Sequence, residues 1–300
     1  MRVVWILTGV LATAPACCSV RAEEPQSPSA LVREVVYNEL HDHDRHGYWR
    51  YWIEHHSTRE TRVEEQVETS EGPIHHLVLY NGKPLAPEAE RSEEERLNQL
   101  LSSPSEQASH RQAYAEDEKR IGRILALLPD AFLYQDLGDE NGLRHLRFHP
   151  NPGYPPHSIE ARIFHAMSGD LWVDSRMKHL ARLSGRLDEN VDFGFGLLGR
   201  LYKGGWFELE RTQVSATDWK TDRLEVHMTG RAMLFKTIAR ETSEVRGGFE
   251  AVPPSMSLAQ AWHVLESSPA GSREAAMVEG RPAPTSMRTG RTRGQAMTAR

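Results

Sequence analysis

Residues 169–240 constrain the fold more than any other stretch of the chain. They read as DLWVD, KHLARLSGRL, a glycine-punctuated VDFGFGLLGRLYKGGWFELE and DRLEVHMTGRAMLFKTIA. Tight-turn residues separate these segments, and no apolar pattern of helical length intervenes. Leu224, Val226 and Met228 alternate with Arg223, Glu225 and His227, the period-two pattern of a strand with one buried face. The segment 232–239 is apolar on both faces through Met233, Leu234 and Phe235, as in a strand covered on both sides. The spacing predicts an antiparallel meander, and five glycines between positions 194 and 205 place a sharp bend near its middle.

The flanking chain supplies strands to extend that sheet and helices to cover it. Leu31, Val32, Val35, Val36 and Leu40 share one face of a helix expected at 29–40. Strands are expected at 48–54, 61–69 and 74–80, with turns at 70–73 and Asn81-Gly82. Charge on both sides of Val63 and Val67 places the second of these near a sheet edge. Residues 84–128 change character. Pro87 opens a highly charged helix with a narrow stripe of Leu97, Leu100 and Leu101, and a second helix carries Tyr114, Ile121, Ile124, Leu125 and Leu128 at helical spacing. Pro129 is expected to stop that second helix. Short strands follow on either side of 138–142, then four prolines within 149–156 enforce irregular chain. A last helix begins at Ser257, with Gln260 placed for a capping box and Leu258, Ala261, Trp262 and Leu265 on one face. The fold class is therefore α+β: a strongly curved antiparallel sheet, or half-open barrel, with covering helices and an inserted charged helical hairpin.

The two ends read differently from this body. Arg2 precedes twelve apolar residues at 3–14, and Val20-Arg21-Ala22 offers small residues at a cleavage site, so 1–22 reads as a secretory signal. Twelve residues are too few to span a bilayer, which takes about twenty. Cys17 and Cys18 both fall in this segment, so the mature chain is expected to lack cysteine and thiol chemistry. Cleavage before Cys17 is the lipid-anchored variant, although the preceding Ala14-Pro15-Ala16 lacks the leucine-like residue such signals favour. A single domain is expected over 23–268. The tail at 269–300 has six arginines against two glutamates and reads as disordered and basic. A net charge of -6 and a pI near 6.2 argue against nucleic acid as a partner.

Few motifs carry chemistry. Residues 194–199 spell GxGxxG, but the dinucleotide fingerprint needs a buried strand before it and a helix after it. Here the polar Leu187-Asp188-Glu189-Asn190 precedes the string and Lys203-Gly204-Gly205-Trp206 turns into another strand. His41, His43 and His46, interleaved with Asp42 and Asp44, form the best metal candidate, because imidazoles at this spacing can converge on zinc. They resemble the HxHxDH string of metallo-β-lactamase-type hydrolases, with Arg45 where that pattern has aspartate. His55-His56 and His75-His76 could add ligands, yet neighbours on a strand face opposite ways. No GxSxG, HExxH or Walker loop is present, and no cofactor is expected. The aromatic set Trp172, Phe193, Phe195, Trp206, Phe207, Trp219 and Phe235 either fills a core or lines a pocket for an apolar ligand.

The order of amphipathic helix, strands, helical insert and long meander resembles the half-open β-barrel of periplasmic lipoprotein carrier and sorting proteins, the Lol-type fold. Within it, MSGDLWVDSRMKHLARLSGRL looks like their recurrent strand pair, in which G-x-L-W-V-D turns back into L-x-R-L-x-G. The stretch 32–265 is also similar to uncharacterised exported proteins of soil bacteria. The resemblance implies an incomplete barrel whose apolar inside takes lipid or acyl moieties, and it carries no catalytic residue across. The hairpin at 84–128 departs from compact members of that group. The leading expectation is a periplasmic, non-enzymatic binding protein for a lipid or other hydrophobic molecule. Trp172, Phe193, Phe195, Trp206, Phe207 and Phe235 then form its cleft. The alternatives are a secreted metal-dependent hydrolase using the His41 cluster, and an envelope scaffold that binds a protein partner through its hairpin.

Overall fold

Ser27 begins the first helix, its hydroxyl accepting the Ala30 N–H at 3.3 Å while Pro28 fixes the first helical φ. In the computed structural model, which describes residues 26–41, 47–193, 199–232 and 236–267, this helix is α1 (Pro28–His41). Four strands follow, β1 (Tyr48–Ser57), β2 (Thr61–Val67), β3 (Ile74–Tyr80) and the two-residue β4 (Lys83–Pro84). Helices α2 (Pro87–Ser102) and α3 (Pro104–Ala131) lead into β5 (Phe132–Glu140) and β6 (Leu143–Pro150). Then come α4 (Ile159–His165), β7 (Met167–Asp174), β8 (His179–Leu187), β9 (Val191–Phe193) and β10 (Gly199–Leu201). The described chain closes with β11 (Trp206–Gln213), β12 (Trp219–Ala232), β13 (Lys236–Val252) and α5 (Leu258–Glu266).

The strands join in one antiparallel sheet of order β4-β3-β2-β1-β13-β12-β11-β8-β7-β6-β5. Strand β1 returns to pair with β13, so the two halves of the chain meet in mid-sheet, while β4 and β5 are its two ends and do not pair with each other. The sheet is not closed. Strands β9 and β10 form a side hairpin, β10 pairing with the far end of β12 beyond the reach of β11. Asn81-Gly82 and Asn141-Gly142 close two hairpins with positive φ at both residues, the geometry that suits the right-handed twist of paired strands.

Pleat parity sorts the side chains into two faces. Leu146, Phe148, Leu171 and Val173 are buried on the face covered by α1 and α3, here called inner. Leu31, Val32, Val35 and Val36 of α1 pack onto it, joined by Leu125 and Leu128 of α3 and by Ile163 and Phe164 of α4. At the other end of the sheet, α2 and α5 bury Leu97, Leu258, Ala261 and Leu265 against Val67 and Ile74 on the outer face. The capping box at Ser257 and Gln260 forms as the sequence predicts. Replacing Ser257→Ala is expected to cost about 1 kcal/mol of stability in urea unfolding, because the Gln260 N–H loses its acceptor.

Strand β2 lies near one end of the sheet as expected, with β3 and the two-residue β4 beyond it; Arg50 of β1 pairs with its Glu65, and Tyr51 accepts from its Gln66. Two expectations change. Helix α3 runs past Pro129 to Ala131; Tyr134 Oη and Asn151 Nδ2 donate to the late carbonyls of Leu128 and Asp130. The apolar segment expected as one strand at 232–239 is divided between the end of β12 and the start of β13, and residues 233–235 lie outside the described residues.

Candidate functional site

The inner face holds two different spaces. Under α1 and α3, the gap between Val35, Leu125, Phe132, Leu171 and Leu183 is about 30 Å³, so this part of the face is filled by the protein's own side chains. Beyond Glu39 the packing opens into a cavity of about 560 Å³, a size typical of small-ligand sites. Its walls come from distant parts of the chain: Tyr51 on β1, Gln66 on β2, Glu68 just after it, Tyr114 and Ile121 on α3, Arg211 on β11, Trp219 and Lys220 on β12, and Arg246 and Phe249 on β13.

The polar walls are tied to one another. Glu68 accepts from the Tyr51 hydroxyl at 3.2 Å and from the Trp49 N–H at 3.2 Å. Its two oxygens also take Lys220 Nζ at 2.9 and 2.8 Å. The Tyr51 oxygen in turn accepts from Gln66 Nε2 at 2.5 Å. Burial, and then the Glu68 carboxylate, push the Tyr51 phenol well above its ordinary range. Burial, Glu118 and Glu68 push Tyr114 up to about 12. Both phenols therefore stay protonated at neutral pH. Between the cavity and the filled space, Glu39 accepts from Arg211 Nη1 at 2.5 Å, from the Leu180 N–H at 3.2 Å and meets His179 Nδ1 at 3.3 Å.

The aromatic residues expected to line one cleft are not brought together. Trp172 lies on the outer face, its ring stacked on His145 at 4.4 Å and its Nε1 donating to Glu140 at 2.9 Å. Trp206 is also outer, 37 % exposed and stacked on His227. Phe207 and Phe193 turn inward and pack on the core beneath α1. Of the described members of the wider set, Trp219 alone lines the 560 Å³ cavity. Phe195 and Phe235 lie outside the described residues. The aromatics that join Trp219 there, Tyr48, Tyr51, Tyr114 and Phe249, come from β1, α3 and β13, and their convergence depends on pairings between distant segments that no local pattern shows.

Of the metal candidates, His41 ends α1 with its ring on Tyr37 at 4.1 Å and its Nδ1 2.8 Å from the Tyr37 carbonyl. His43 and His46 lie outside the described residues, among which no group of three or more His, Cys, Asp or Glu side chains could hold a metal ion. The histidine pairs part as strand geometry requires: His75 faces inward beside Gln66, and His76 meets Trp262 of α5 edge-on at 5.3 Å. In the GxGxxG string, Gly199 opens a strand where a dinucleotide site requires a helix, and Gly194 and Gly196 lie outside the described residues. Among the described residues no helix is long and apolar enough to cross a membrane. No protein-family model matches the chain, and no curated protein matches it.

Proposed function

We infer that this is an exported, non-enzymatic binding protein of the bacterial envelope that takes a lipid or other acyl-bearing molecule into the cavity between the sheet and α3. The observation that carries this reading is the cavity itself. It is about 560 Å³, opens on the inner face, and sets the rings of Tyr51, Tyr114, Trp219 and Phe249 among a larger number of polar side chains, including Gln66, Glu68, Glu118, Arg211, Lys220 and Arg246. The support from the fold is coarse: the antiparallel sheet is unclosed, as that of a Lol-type half-open barrel would also be, and helices pack on both of its faces. The apolar 3–14 segment supports export to the periplasm. On this reading the helical hairpin of α2 and α3 is an addition that walls the cavity.

Protein purified from the periplasm is expected to carry lipid, seen as added mass in native mass spectrometry and as acyl chains after solvent extraction. A Trp219→Ala, Phe249→Ala variant should lose that mass while retaining its strand content by circular dichroism. Absence of co-purified lipid, together with failure of fatty acids to displace a hydrophobic dye, would count against the reading.

A further inference from the structure

We propose that the ligand carries an oxyanion head, a carboxylate or phosphate on an acyl chain, and that Arg246 receives it. This inference rests on the binding reading above and adds the chemistry of the head.

The local sequence Arg246-Gly247-Gly248-Phe249 builds the receiving end. In a regular strand, positions 246 and 249 point to opposite faces. Here the register of β13 against β1 slips: Arg50 pairs with Glu250 and Trp52 with Gly247, so three steps on β13 match two on β1. Gly248 takes φ +67 within this bulge, a left-handed conformation that glycine adopts freely. The extra residue turns Arg246 and Phe249 onto the same wall of the cavity. The Phe249 ring then meets Tyr51 at 5.1 Å, so an apolar surface adjoins a guanidinium.

Among the described basic groups of the cavity, Arg246 is the one with a buried N–H that lacks an acceptor. Lys220 is committed to both oxygens of Glu68. Arg211 is spent on Glu39 and on the Leu180 and Trp219 carbonyls. Arg246 gives Nη2 to Glu244 at 2.9 Å, and that carboxylate is shared with His55 Nδ1 at 3.4 Å. Its buried Nε–H has no acceptor among the described residues, and neither has the Trp219 indole N–H. Buried N–H groups without acceptors are unfavourable, and a guanidinium edge matches a carboxylate or phosphate with two parallel hydrogen bonds. An acyl chain lying on Phe249, Tyr51 and Tyr114 would bring an anionic head within reach of that edge.

The test compares three ligands with the same oleoyl chain, each below its micelle concentration, on the full chain: oleate, oleoyl lysophosphatidate and neutral monoolein. Binding is read from Trp219-sensitive fluorescence and from dye displacement. The anions are expected to bind about tenfold or more tighter than monoolein. Arg246→Gln should bring them to the monoolein level, with circular dichroism and the urea unfolding midpoint showing separately that the variant is folded. Arg246→Lys, which keeps the charge without the fork, should restore only part of the difference. Preference for one anion over the other tells carboxylate from phosphate. Equal binding of all three by the unaltered protein overturns the head-group proposal but leaves the cavity reading standing, as does an anion preference that survives Arg246→Gln. Failure of all three to bind removes both.

Discussion

Alanine at Gly169 should destabilise the protein by about 3 kcal/mol or more in urea unfolding, the largest effect expected of any single methyl in the sheet. Gly169 stands in a row that crosses four strands, Phe148–Gly169–Gly185–Phe207, all pointing to the inner face. Each phenylalanine ring lies over the glycine next to it in the row, Phe148 at Gly169 and Phe207 at Gly185. A Cβ on Gly169 would run into the Ser184 carbonyl oxygen, 2.7 Å from the Phe148 ring and 2.9 Å from the Gly185 Cα. Two of those three neighbours are backbone and cannot swing away. At Gly185 the added methyl meets the Phe207 ring and Met167 Sδ, side-chain atoms that can yield, so Gly185→Ala should cost less. Gly138 is the control. Its φ of +97 disfavours alanine, but nothing lies within 4 Å, so roughly 1 kcal/mol of backbone strain is expected there. Equal losses at Gly169 and Gly138 would show that the packing of the row does not matter.

That row explains what the strand-pair motif in the sequence encodes. The glycine of G-x-L-W-V-D is Gly169 and that of L-x-R-L-x-G is Gly185, and they sit opposite each other in the β7–β8 register. Their spacing could be seen in the sequence, but not the phenyl rings from β6 and β11 that require them. Local patterns placed most elements well. The stripe of Leu31, Val32, Val35 and Val36 marked α1, and Ile74 to Tyr80 emerged as β3 with the expected Asn81-Gly82 turn. These signals depend on neighbours within a turn or a hairpin.

The candidate site was hidden for the opposite reason. Glu64, Gln66 and Glu68 share one face of β2 and its continuation, with Val63, Glu65 and Val67 on the other. Without the partners, that face reads as solvated charge at a sheet edge. The partners are Tyr51 from the preceding strand and Lys220, which is 152 residues away from Glu68. A signal was nonetheless present in Arg246-Gly247-Gly248-Phe249, where a glycine pair inside a strand marks a bulge and hence a side chain turned out of sequence. The large aromatics drew the eye by size instead, and Trp172 and Trp206 proved to be capped by histidines on the outer face.

The second large effect lies at the boundary between the filled space and the cavity. Burial alone would raise the Glu39 carboxyl, but the His179 hydrogen bond, the charge and hydrogen bond of Arg211, and the Leu180 N–H outweigh it and hold the group near about 2 instead of 4.5. With its side chain only 11 % exposed, that shift is worth about 3 kcal/mol of folding stability when Glu39 is ionised. A carboxyl lowered on folding stabilises above its unfolded value, so the contribution is complete above about pH 5 and fades as pH falls toward 2. Glu244 adds to the same loss. The His55 hydrogen bond and then Arg246 hold it near about 2 against the upward push of burial. Glu39→Gln should therefore cost about 3 kcal/mol or more near pH 7, because Arg211 is left buried without its counter-charge, and the gap to the unaltered protein should narrow steadily on acidification. Glu39→Leu combined with Arg211→Met should recover much of the loss, since it removes the stranded charge along with its partner. Urea titrations from pH 7 to pH 3 measure all three. Parallel stability curves for Glu39→Gln and the unaltered protein would show that the charge of Glu39 does not hold α1 to the sheet.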